Sequence, residues 1–122
     1  MAVLGIDHVQ VAAPPGCEAA ARAFYGTVLG MDELAKPEAI RHRGGCWFRA
    51  GAQELHVGVE APFTPAGKAH PGLLVSDLDA VRLRLRAAGV EYDDDAKIAG
   101  VDRLFVRDPF GNRIELRRGD AV

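Results

Sequence analysis

Apolar spacing along the chain switches between two periods, and the switch occurs twice in the same order. The opening run MAVLGIDHVQV reads as a strand over about 3–12, stopped by Pro14-Pro15-Gly16. A helix is predicted over about 17–29, where Phe24 and Val28 sit at i, i+4 and Gly30 supplies a cap. Strands follow near 31–35, 43–50 and 53–60, the last two joined by a hairpin at Gly51. A segment containing Pro62 and Pro65, about 61–67, then interrupts the pattern. Beyond it come a strand near 68–75 and an N-cap at Ser76-Asp77. The helix that follows places Leu78, Val81, Leu85 and Ala88 on one face and turns Arg82 and Arg86 outward. Gly89 closes it, and strands near 90–93, 101–107 and 112–118 complete the half. The prediction is an α+β fold of two tandem βαβββ modules, about 3–60 and about 68–118. Each half, of roughly 55 residues, buries too little apolar surface to stand alone, so one domain over 1–122 is expected.

Self-comparison supports the duplication and picks out side chains. Gly5-Ile-Asp-His-Val-Gln-Val11 resembles Lys68-Ala-His-Pro-Gly-Leu-Leu-Val75, placing His8 over His70. Cys46-Trp-Phe-Arg-Ala-Gly-Ala-Gln-Glu-Leu-His-Val57 resembles Leu104-Phe-Val-Arg-Asp-Pro-Phe-Gly-Asn-Arg-Ile-Glu-Leu116, placing Arg49 over Arg107 and His56 over Glu115. Glu115 lies between Ile114 and Leu116, so it points off the opposite face of its strand. A carboxylate turned into a concave interior needs a counter-charge, and a metal is one candidate. Glu54 is expected to point away from His56, to solvent, and His42, in Arg41-His-Arg43, to lie in a surface loop. Pro71, directly after His70, implies that this strand starts at a free edge or bends there.

A duplicated βαβββ unit ending in Asp108-Pro-Phe-Gly-Asn-Arg-Ile-Glu-Leu116, with a histidine on its first strand, resembles the vicinal oxygen chelate superfamily from Gly5 to Arg117. That group covers the glyoxalase, bleomycin resistance protein and dioxygenase families. The resemblance implies a half-barrel domain with metal ligands on the first and last strands of each module. Carried over position by position, these are His8, His56, His70 and Glu115. Three imidazoles and a carboxylate suit a divalent Zn, Fe, Ni, Co or Mn ion. The resemblance further implies a glyoxalase-like lyase or isomerase that chelates vicinal oxygens of a small molecule. Glu115 and His56 are its candidate general bases, and a homodimer is expected. Trp47, Phe48 and Arg107 are candidate substrate contacts. The alternative is a non-catalytic drug- or metabolite-binding protein of the bleomycin-resistance type.

Departures from particular branches narrow the reaction. Phe105 stands where extradiol dioxygenases carry tyrosine, and Arg117-Arg-Gly-Asp-Ala-Val122 lacks the aromatic and basic extension of fosfomycin-modifying enzymes. Ala99-Gly-Val-Asp-Arg103 matches the glycine-rich stretch of glyoxalase I poorly.

Composition removes other classes. A net charge of −2 gives no electrostatic attraction to nucleic acid or to an anionic membrane, and no apolar run approaches a spanning helix. Two cysteines without a C-x-x-C make neither a disulfide framework nor a redox motif, so a cytoplasmic protein is expected. Cys46 has no identifiable activating neighbour, and Asp93-Asp94-Asp95 lacks calcium-loop spacing and reads as a solvated loop.

Overall fold

The computed structural model describes residues 2–119. They fall into two units, Met1–Thr64 and Pro65–Val122, each carrying one four-stranded sheet.

In the first unit the strands are β1 (His8–Ala13), β2 (Glu33–Leu34), β3 (Cys46–Ala50) and β4 (Gln53–Val59), in the order β1-β4-β3-β2. β1 runs parallel to β4, while the other neighbours are antiparallel. A parallel neighbour requires a crossover, which the helical segment supplies. α1 (Glu18–Ala21) continues directly into a π-helical stretch, Arg22–Val28, in which Leu29 N–H donates to the Phe24 carbonyl at 2.9 Å. The wider π turn accompanies burial of two consecutive aromatics, Phe24 and Tyr25. Their rings meet edge-on at 4.9 Å, and Tyr25 in turn lies 5.8 Å from the ring of Phe48 on the sheet. Period-two alternation puts Ala13, Cys46, Phe48, Leu55 and Val57 on this buried face. Each such large side chain contributes about 1.5–3 kcal/mol by burial. The first strand starts at His8 rather than near residue 3; Leu4 is 97% and Ile6 68% exposed, so their side chains have no apolar surface to join. A 3-10 turn, Glu38–Arg43, holds the stretch before β3 and leaves His42 exposed.

The second unit repeats the plan with β5 (Gly72–Val75), β6 (Tyr92–Asp95), β7 (Arg103–Arg107) and β8 (Arg113–Arg118), ordered β5-β8-β7-β6. α2 (Leu78–Ala87) is capped by Asp77, whose Oδ1 accepts from Ala80 N–H at 3.0 Å. Leu78 and Leu85 of α2 are buried, as are Leu104, Val106, Ile114 and Leu116 of β7 and β8. Two expectations change here. Arg82 is not turned out to water: its side chain is 16% exposed and joins Asp79, Asp94 and Asp102. Asp93-Asp94-Asp95 belongs to β6 rather than to a loop, because Arg82 and Arg103 neutralise two of its three carboxylates. β5 begins at Gly72, just past Pro71 and at the sheet edge, where a missing N–H costs least.

The ladders confirm the internal alignment. Gln10 pairs with His56 and Gly72 with Glu115, so two residues earlier His8 and His70 occupy equivalent places. Trp47 faces His56 as Phe105 faces Glu115.

Candidate functional site

In the first unit, the sheet face turned away from Phe24 and Tyr25 carries His8, Gln10, Trp47, Arg49, Glu54 and His56. His56 is 4% exposed because flat rings cover it on two sides. Trp47 stacks at 3.8 Å and 3°, His8 at 4.2 Å and 17°. Of the adjacent aromatics Trp47 and Phe48, it is therefore Trp47 that shares a face with His56; Phe48 is 0% exposed in the core. Glu54 corrects the expectation that it points away. It lies two residues from His56, hence on the same face, and its Oε1 is 2.9 Å from His56 Nε2. His8 Nδ1 lies 2.9 Å from Asp7 Oδ2, an acceptor only, so Nδ1 is the donor of this contact.

In the second unit, the turn after β7 fixes where Glu115 stands. The buried Asp108 accepts Phe110 N–H at 2.9 Å and Asn112 N–H at 2.8 Å through Oδ1, and Asn112 Nδ2 donates to Oδ2 at 2.9 Å. Gly111, at φ +90°, closes the turn in a conformation that other residues rarely adopt. The resulting register sets Glu115 opposite Phe105 and next to Gly72.

Glu115 is 7% exposed and has three cationic or imidazole neighbours. His70 Nε2 is 3.1 Å from Oε1, Arg103 Nη1 is 3.4 Å from the same oxygen, and Arg117 Nε is 2.8 Å from Oε2. The Arg117 contact is an ion pair by distance, although its N–H is not aimed along a hydrogen bond. Arg103 also holds Asp95 at 3.1 Å. Sequence reasoning passed over both arginines, although the alternation Arg113-Ile-Glu-Leu-Arg117 places Arg117 on the Glu115 face. Arg107 shares that face and donates Nη1 to the Gly111 carbonyl at 3.0 Å.

The donor set was tested against a divalent ion. His70 Nδ1 donates to the Lys68 carbonyl at 2.9 Å, an acceptor only. Nε2 stands at hydrogen-bond distance, 3.1 Å, from Glu115 Oε1; a ring tethered through one nitrogen to a backbone carbonyl is also how metal-ligating histidines are held. Bonds of about 2.1 Å set adjacent ligand atoms about 3.0 Å apart at octahedral angles and about 3.4 Å apart at tetrahedral ones. The 3.1 Å spacing of Nε2 and Oε1 lies in that range and is equally a hydrogen-bond distance. His8, with Nδ1 on a carboxylate, is tethered in the same sense. The structure thus groups the candidates in pairs, His8 with His56 and His70 with Glu115. Among the described residues no three His, Cys, Asp or Glu side chains are grouped as a metal site.

The chain matches the profile of the Glyoxalase/Bleomycin resistance protein/Dioxygenase superfamily over residues 5–116. A solved structure assigned to the glyoxalase family, from Bacillus anthracis, is 52% identical, with a TM-score of 0.93 over 97% of both chains. Lactoylglutathione lyase from Agrobacterium tumefaciens is 21% identical (TM-score 0.75), over 98% of this chain and 96% of its own. A genomically encoded fosfomycin resistance protein from Listeria monocytogenes is 15% identical (TM-score 0.76), over 97% and 95%. The last two likenesses concern the fold alone. Among curated proteins nothing matches the chain. No helix among the described residues is long and apolar enough to cross a membrane.

Proposed function

The chain belongs to the Glyoxalase/Bleomycin resistance protein/Dioxygenase superfamily, and on that premise we propose that it is a divalent-metal-dependent lyase or isomerase acting on a small molecule with two adjacent oxygens. The observation that carries this reading is the buried Glu115 carboxylate, 3.1 Å from a His70 Nε2 whose partner nitrogen is tethered to a carbonyl. His8, His56, His70 and Glu115 would hold the ion. When bound, it would supply Lewis-acid polarisation of the substrate oxygens. The chain's own residues set the rest. Arg103 and Arg117 fix the direction of the Glu115 carboxylate by ion pairs at 3.4 and 2.8 Å. Glu54 holds the His56 ring by Nε2, and Trp47 and His8 clamp its faces. Glu115 and His56 are the candidate proton acceptors. The likeness to the superfamily makes a homodimer the proposed assembly.

Protein purified without a metal-binding tag should carry near-stoichiometric metal by plasma mass spectrometry, and His70→Ala should lose most of it. Wild-type protein that stays metal-free after reconstitution would refute the metalloenzyme. A second reading would then hold, a binding module of the bleomycin-resistance type. It is favoured by the grouping of Trp47 with His8 and His56 on one sheet face, an aromatic surface of the kind that binding proteins use.

A further inference from the structure

The β7–β8 face carries charge that the His70–Glu115 pair leaves unused. Two arginine pairs lie directly opposite across these strands, Arg103 with Arg117 and Arg107 with Arg113. Like charges so placed destabilise a ladder unless something neutralises them. For Arg103 and Arg117 the acids are present, Asp95 and Glu115. For Arg107 and Arg113 they are not: among the described residues neither guanidinium has a carboxylate at ion-pair distance. Arg107 donates to a carbonyl of its own turn, at 3.0 Å, and the Arg113 guanidinium carbon lies over Phe105, 3.9 Å from the ring centroid. Asp93, opposite Phe105 in the register, makes an ion pair with neither.

Both arginines line a half-open cleft of ≈ 840 Å³, with Phe105 in its wall, Lys97 as a third cation, and Glu91, Asp93, Asp94 and Asp95 also in its lining. Arg82 and Arg103 hold Asp94 and Asp95, so Glu91 and Asp93 are the acids left to oppose the three cations. Phe105 also joins the cleft to the candidate site, since the His70 ring packs edge-on against it at 5.3 Å and 80°. An arginine stacked on an aromatic ring is held in plane, and its fork matches the paired oxygens of an oxyanion.

We propose that Arg107 and Arg113 form an oxyanion subsite that receives a carboxylate or phosphate group of the molecule acted on beside His70 and Glu115. Assigning the anion to the substrate rests on the functional reading above; anion binding by these two arginines does not. The substrate class is then an acidic metabolite whose anionic group is held by Arg107 and Arg113.

The test is calorimetric titration of inorganic phosphate and, separately, succinate into wild-type protein of measured metal content. Saturable binding is expected, weakened about tenfold by Arg113→Met and by Arg107→Met. It should also weaken as salt is raised. Tighter phosphate assigns a phosphoryl group, and tighter succinate a carboxylate. His70→Ala should lose metal yet bind the probes as wild type does. If the metal reading fails, a metal-free wild type would still show arginine-dependent binding. Three results overturn the subsite: no saturable heat with either probe, unchanged binding in both arginine variants with native circular dichroism, or binding lost only in His70→Ala.

Discussion

Replacing Glu115 by glutamine keeps the side chain's shape and removes its charge, so the change measures what the carboxylate does for its neighbours. The residue is 7% exposed, and its oxygens meet Arg117 at 2.8 Å, His70 at 3.1 Å and Arg103 at 3.4 Å. Stranding a fully buried charge by removing its partner costs about 3–5 kcal/mol. Two features lower that figure here. Arg103, 14% exposed, keeps Asp95 at 3.1 Å, and the Arg117 side chain is 36% exposed, so water replaces part of what it loses. A net loss of about 2–3 kcal/mol remains, which lowers the melting temperature of a domain this size by about 10 °C. Urea unfolding of chelator-treated protein at neutral pH measures it without any contribution from bound metal. Glu115→Gln combined with Arg117→Met should cost less than the sum of the single changes, since each removes the other's reason for penalty. A Glu115→Gln variant within about 0.5 kcal/mol of wild type, a typical surface-substitution effect, would refute the claim that the arginines depend on this carboxylate.

Two further outcomes follow from the first unit. Gly45 sits at φ +84°, and a Cβ there would lie 2.0 Å from the Val57 carbonyl oxygen, so Gly45→Ala should destabilise by about 3–5 kcal/mol from conformational and steric cost together, read from the urea midpoint. The Glu18 carboxyl is held below its ordinary 4.5, first by the Gly45 N–H donated to Oε2 at 3.0 Å and then by the Cys17 thiol. The unfolded chain therefore takes up this proton more readily than the folded one. Its stabilising effect is complete above the unfolded value and is lost as pH falls through the lower folded value. The stability gap between wild type and Glu18→Gln should accordingly shrink on going from about pH 6 to about pH 3, and a constant gap would remove Glu18 from the account.

The duplicated plan was readable because strand polarity and ladder register depend on the two-residue period, which the sequence carries openly. His8 over His70 and His56 over Glu115 emerged from aligning the halves, and the ladders place them equivalently. Other features depend on forces that periodicity does not encode. The π turn at Arg22–Val28 reflects the demand that Phe24 and Tyr25 both reach the core. The β6 carboxylates became a strand through arginines distant in sequence, Arg82 among them. Glu54 is different, since its position two residues before His56 already puts both on one face. The same holds for Arg117 beside Glu115. Which residues bond across strands, as His70 does with Glu115, depends on rotamers that only packing decides.

Trp47 is the only tryptophan of the chain, and its indole lies face-on against the imidazole of His56 at 3.8 Å. The molecule therefore carries one indole fluorophore, distinct from its two tyrosines and in van der Waals contact with one of the side chains assigned to the metal. Excitation at the red edge of protein absorption addresses this site alone, without a label or a foreign ligand. Changes in the electronic state of that ring, whether by protonation, by an ion or by a stacked guest, become changes in emission intensity and lifetime.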